Sequence, residues 1–218
     1  ADAAVLDPLE RWTYTAGDVI DRHGYFDDKH TGDGAAYSVR TGHEYLNRSA
    51  LREPEGLPFH VIQPEGFPVS VSEIGWTAPN RFRADYAPFT AACAALQGVD
   101  AVMTFALSSA FWESEVGKWG LATPVIMGAF PAAALLYRRG DLQEAPAAVR
   151  QVVRLEDLFA LKGAGGLAAQ ALDPIRLAQV PAGKAIPGAV GSLDPMSFYA
   201  GRVVRAIGAN PASSSQVD

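Results

Sequence analysis

The residues able to do chemistry gather in two short stretches, Asp21-Arg22-His23-Gly24-Tyr25 and Val69-Ser70-Val71-Ser72-Glu73-Ile74-Gly75-Trp76. Both read as β-strands, in which side chains alternate between the two faces. Strict alternation puts Asp21, His23 and Tyr25 on one face of the first. In the second it groups Val69, Val71, Glu73 and Gly75 against Ser70, Ser72, Ile74 and Trp76. A carboxylate closing an apolar strand is costly to bury unless it is paired or at work. Glu73 therefore either pairs with Arg81 or Arg83, or serves as a fixed anion. Tyr25 on a neighbouring strand could donate a hydrogen bond that keeps Glu73 ionised. His23 and Tyr25 read equally well as satisfied core polar residues.

The elements that must hold these residues follow an α/β pattern. A strand over Asp18–Phe26 leads into a long polar loop from Asp27 to about Gly66, and the Glu73 strand spans Pro68–Trp76. A helix is expected from about Ala84 to Gln97, with Phe89, Ala92, Cys93 and Leu96 as its buried stripe and Gly98 as its cap. The strand Asp100–Leu107 is apolar on both faces, as in a covered parallel sheet. An aromatic loop through Phe111 and Trp112 to Trp119 comes next. A helix from Thr123-Pro124 to Arg138-Arg139-Gly140 then kinks or restarts at Pro131. Strands and helices alternating with short connections form the βαβ pattern. One further strand is expected around Val149–Glu156, an apolar segment over Met196–Ile207, and a disordered tail over Asn210–Asp218.

Composition narrows the function classes. The 218 residues are 49% apolar and 19% charged, which suits a folded core and excludes disorder or a coiled coil. A net charge of −6 argues against a nucleic-acid surface. No apolar run approaches the roughly 18 residues of a membrane span. The single cysteine, Cys93, excludes an internal disulfide and a cysteine-based zinc site. The opening residues lack a signal-peptide pattern. Asp27-Asp28-Lys29-His30-Thr31-Gly32-Asp33-Gly34 is rich in oxygen ligands but lacks calcium-loop spacing, and reads as a solvated turn. His30 and His43 are too far apart to share a helix face, so no metal site is assigned. Gly163-Ala164-Gly165-Gly166-Leu167-Ala168 follows no convincing strand, so it reads as a linker and not a dinucleotide fingerprint. No cofactor is implied.

The segment Pro68–Trp76 resembles strand seven of the clan A glycoside hydrolases, (β/α)₈ barrels whose nucleophile is a Glu at the end of that strand. Asp21-Arg22-His23-Gly24-Tyr25 looks like strand six, with its His-x-Tyr pair, and Val102–Leu107 looks like strand eight. The runs Asn80-Arg81-Phe82-Arg83, Leu96-Gln97-Gly98-Val99-Asp100 and Phe130-Pro131-Ala132-Ala133-Ala134-Leu135-Leu136-Tyr137-Arg138-Arg139-Gly140 are similar to large bacterial glycosidase-like proteins. The resemblance covers about residues 5–140.

It implies an α/β fold, a partial (β/α)₈ TIM-type barrel of strands six to eight over 1–140. A C-terminal extension, partly β, is expected over 141–207 and a tail over 208–218. It implies a glycosidase-like hydrolase of O-glycosidic bonds with Glu73 as nucleophile, supported by Tyr25 and His23. Trp76, Trp112 and Asp21 would then meet the sugar. The acid, a Glu at the end of strand four in that family, would lie outside this sequence, in an N-terminal barrel portion acting as partner. Glu44, Glu113 and Glu115 have no spacing that recommends them instead. Export to a secreted or periplasmic location follows from the resemblance alone. The rival expectation is a non-catalytic carbohydrate-binding or scaffold relative, with Trp76, Trp112 and Trp119 forming an aromatic rim.

Overall fold

The computed structural model describes residues 8–53, 57–108, 110–159 and 193–209. The fold is mixed α/β with two parallel three-stranded sheets, and the chain divides into two compact units. One unit gathers Ala1–Ile20, Val61–Pro68 and Pro146–Asp218; the other gathers Asp21–His60 and Val69–Ala145.

The second of these units holds the expected site. Its sheet has the order β1-β3-β4, built from β1 (Ile20–Phe26), β3 (Val69–Trp76) and β4 (Ala101–Thr104). Strands β3 and β4 run parallel. So do β1 and β3, since Asp21 bonds to Ser70 and Ser72 at one end while Thr77 N–H reaches the Phe26 carbonyl at the other. On one face Phe26, Val69, Val71, Ile74 and Trp76 are buried, and Trp76 packs against Phe26, Tyr86 and Phe89. The first helix of this unit, α2 (Tyr86–Leu96), follows a short 3-10 turn, Arg83–Asp85.

The expected stripe on α2 is rotated. Tyr86, Ala87, Thr90, Ala91, Cys93, Ala94 and Ala95 are buried, whereas Ala92 is exposed and Phe89 and Leu96 are half-buried. An alanine-rich helix has little contrast between its faces, so hydrophobic periodicity alone does not orient it. Its end is as read. Gly98 adopts φ +63°, and the Gly98 and Val99 N–H groups bond back to the Ala95 and Ala94 carbonyls, a Schellman closure. The chain also restarts at Pro131: α3 (Pro124–Met127) stops and α4 (Phe130–Arg138) begins with that proline in its first turn.

Strand β4 differs from expectation. It is shorter, and its second face is uncovered among the described residues: Met103 is 54% exposed and Phe105 36%. The cover expected of a parallel sheet is present on one side only.

The other unit contains α1 (Pro8–Tyr14) and the sheet β2-β6-β5, made of β2 (Gln63–Pro64), β5 (Ala147–Arg154) and β6 (Arg202–Gly208), with all pairings parallel. Ile62, Phe198 and Val203 form its small core, with Val149 and Leu193 packed on it. Two short helices, α5 (Leu155–Phe159) and α6 (Ser197–Ala200), complete its described elements. The expected glycine-rich linker and C-terminal tail lie outside the described residues. No helix of the described residues is long and apolar enough to cross a membrane.

Candidate active site

Glu73 does not project from the face that alternation assigns to it. The buried residues of β3 are Val69, Val71, Ile74 and Trp76, a step of two, then three, then two. The pairing with β4 shows why: Val71 is opposite Val102 and Ile74 is opposite Thr104, so three steps on β3 match two on β4. This is a β-bulge, which adds one residue to one strand and re-aims its side chains. The bulge turns Glu73 onto the open face with Ser70 and Ser72, away from Val69 and Val71. That face also carries Asp21, His23 and Tyr25.

Six side chains meet there. The Tyr25 hydroxyl donates to Glu73 Oε2. His23 Nδ1 lies 3.4 Å from the same oxygen, and its Nε2 lies 3.7 Å from Asp21 Oδ2. Asp21 is held in turn by β3: both serine hydroxyls donate to it, and the Ser72 N–H donates to Oδ1 at 3.1 Å. The Glu73 side chain is 32% exposed and that of His23 54%, so the constellation is open to a ligand. Among the described residues neither carboxylate pairs with a lysine or arginine. Burial, the hydrogen bond to Glu73 and the charges of Glu73 and Asp28 push the Tyr25 phenol well above its ordinary range. Burial also pushes the Asp21 carboxyl up, but hydrogen bonds from Ser70, Ser72 and neighbouring backbone outweigh it, leaving Asp21 below the ordinary range. Tyr25 thus stays a donor and Asp21 stays an anion.

Two glycines make the arrangement possible. A Cβ on Gly75 would come within 2.6 Å of the Phe105 carbonyl oxygen, so only glycine lets the end of β3 pass the end of β4. A Cβ on Gly24 would meet Pro58 at 2.7 Å, closing the other face of β1 against the polar loop.

The loops beyond the strand ends are tied down from within. Asp27 has a positive φ of 59°, and its carboxylate accepts from Arg48 N–H and Nε and from Asn80 Nδ2. Lys118 donates to the Asp28 and Ala35 carbonyls, and its ammonium lies 4.7 Å from the centre of the Trp119 ring. Trp119 donates its own N–H to the Ala36 carbonyl. Its ring meets Tyr25 edge-on at 4.6 Å, and Phe105 meets Tyr25 at 5.7 Å.

The expected site is therefore gathered in part. Asp21, His23, Tyr25 and Glu73 converge. Trp76 does not join them: it is fully buried on the opposite face, the direct consequence of the bulge, and offers no ring face to a sugar. Trp112 is 61% exposed on the loop after β4 and stands outside the constellation. The aromatic wall beside Tyr25 is made by Trp119 and Phe105. Arg83, one alternative partner for Glu73, is spent on the Trp76 and Gly120 carbonyls instead. Arg81 stacks over Phe82. The Ser70 and Ser72 pair was missed as site residues; a Ser-x-Ser directly before a strand-end Glu was the available signal. Nothing local marks Lys118 or Asp27, whose partners are far away in sequence.

Among the described residues no group of three or more His, Cys, Asp or Glu side chains is arranged to hold a metal ion. A cleft of about 660 Å³ lined by Tyr45, Asn47, Pro79, Arg81, Val116 and Val125 contains none of the expected site residues. The chain matches no protein-family model, no curated protein and no solved structure.

Proposed function

We propose that this chain is a glycoside hydrolase-like protein, the strand-six to strand-eight part of a (β/α)₈ barrel, with Glu73 as the nucleophile toward an O-glycosidic bond. One observation carries the reading: a carboxylate in the C-terminal half of β3 receives the hydroxyl of Tyr25 from the adjacent parallel strand, beside His23. Active sites of such barrels lie at the carboxyl ends of the strands. Cleavage of a glycosidic bond passes through an oxocarbenium-like transition state, which a fixed carboxylate on one face of the sugar stabilises. Tyr25, kept protonated, steers one Glu73 oxygen and leaves the other to face the anomeric carbon. His23, half exposed, is placed to meet a sugar hydroxyl. Trp119 and Phe105 supply the apolar wall.

Retaining chemistry needs a second carboxyl group about 5 Å from the first, serving as general acid. Asp21 is the other carboxylate of this constellation, and it is committed to Ser70 and Ser72. In this reading the acid is supplied by a further stretch of barrel polypeptide.

The test does not depend on that acid. Dinitrophenyl fluoroglycosides carry a leaving group that departs without protonation, so they trap the nucleophile as a stable ester. Incubation with a panel of these sugars is expected to add one glycosyl mass to the peptide containing Glu73, and to leave Glu73→Gln unmodified. Absence of that adduct across the panel removes the catalytic reading. Sugar binding that survives without an adduct would instead favour a carbohydrate-binding relative.

A further inference from the structure

The structure assigns Asp21 a positioning role that goes beyond the proposed chemistry and rests on it: Asp21 clamps the β3 bulge and so decides the direction in which Glu73 is presented. A bulge takes an amide out of the strand ladder, and a freed amide must find another acceptor. The register shift of β3 falls between Val71 and Ile74, and the Ser72 N–H inside it donates to Asp21 Oδ1 at 3.1 Å. The Ser70 hydroxyl bonds to that same oxygen, and the Ser72 hydroxyl bonds to Oδ2. One carboxylate on β1 thus takes three donors from the stretch of β3 that immediately precedes Glu73. With its oxygens so engaged, Asp21 is better matched to the protein than to a sugar hydroxyl, the role expected from sequence. It is the other way round for Glu73, whose partners among the described residues are the Tyr25 hydroxyl and His23.

The test compares Asp21→Ala with Asp21→Asn, which keeps a carbonyl acceptor for the Ser72 amide. In the protein as it stands, nuclear Overhauser contacts are expected between the Tyr25 ring and the Glu73 methylenes, together with a slowly exchanging Ser72 amide. Asp21→Ala should lose the contact, speed Ser72 exchange and slow fluoroglycoside labelling of Glu73 about 100-fold, the usual consequence of a misplacement near 1 Å. Asp21→Asn should keep the contact and label within about 10-fold of the parent. Slower labelling with the Tyr25–Glu73 contact intact would overturn the proposal, because Asp21 would then be acting on the sugar. An unchanged contact and unchanged exchange in Asp21→Ala would overturn it as well. Should Asp21→Ala fail to fold, the double variant Ser70→Ala/Ser72→Ala carries the test. It removes two of the three donors, and an unweakened contact there overturns the clamp. The contact and exchange measurements need no sugar, so a failure of the glycosidase reading leaves them decisive.

Discussion

The two sheets treat their polar side chains in opposite ways. In β2-β6-β5 two cations have matched acceptors: Arg150 forms a two-pronged pair with Glu65, and Arg205 directs two nitrogens at Gln151 Oε1. In β1-β3-β4 two carboxylates, Asp21 and Glu73, flank His23 and are held by neutral serine and tyrosine donors, and among the described residues no lysine or arginine pairs with them. Pairing opposite charges serves stability, whereas clustering like charges works against it. A protein that holds two carboxylates on one open face with neutral donors keeps them reactive at some cost to its fold. Such concessions are characteristic of functional sites. The comparison points to the open face of β1-β3-β4 as the working surface.

The largest expected effect separates Asp27 from Asp21, only six residues earlier. Asp27 is buried and paired with Arg48 in the manner of the second sheet, its side chain 1% exposed. Asp27→Ala removes the carboxylate that accepts from the Arg48 amide, Arg48 Nε and Asn80 Nδ2, and should cost about 3–5 kcal/mol in denaturant unfolding. A loss below about 1 kcal/mol would mean that this pair does not organise the loop.

A second effect is pH-dependent. Burial, with the charge of Arg22 beside it, pushes the His60 imidazole down to about 4 from an ordinary 6.5. The folded state thus prefers neutral His60, while the unfolded chain protonates near 6.5. The His60 contribution is fully present above pH 6.5 and is lost as pH falls toward 4. It amounts to about 3 kcal/mol. Unfolding free energies of the parent and His60→Gln, measured between pH 7 and pH 4, should converge on acidification; parallel curves would refute the shift.

The smallest effect is the sharpest on the comparison itself, because its sign differs between the sheets. Glu65→Gln should destabilise by about 1 kcal/mol and lose its effect at high salt, since the pair is partly exposed. Glu73→Gln relieves repulsion with Asp21 and should leave stability unchanged or raise it by up to about 1 kcal/mol, while abolishing labelling. Equal destabilisation by both changes would erase the distinction between a paired sheet and a working one.

Much of the molecule was legible because its signals are local. The β1 and β3 strands, the helix end at Gly98 and the restart at Pro131 all follow from alternation, a glycine cap and a proline that cannot continue a helix. The trio Asp21, His23 and Tyr25 shares a face as alternation requires. Glu73 was placed with Val69 and Val71 because strict alternation assumes an unbroken ladder. The spacing of Val69, Val71, Ile74 and Trp76 carries the contrary message, for it cannot bury all four without an extra residue. That message becomes readable only once the buried side is known. The burial of Trp76, the substitution of Trp119 and Phe105 for it beside Tyr25, and the rotated stripe of α2 are of the same kind.

The sequence by itself determined the strands and helices around Glu73 and which residues could do chemistry, since those properties depend on neighbours a few positions away; it did not mark the helix Pro8–Tyr14, the short strand Gln63–Pro64 or the strand Arg202–Gly208. Only the tertiary structure decided which way Glu73 points. That direction depends on the β3–β4 register and on three hydrogen bonds to Asp21, a residue some fifty positions away in the chain. Contacts across such a separation leave no periodic trace in the sequence, because each is made by a single pair of residues and repeats nowhere.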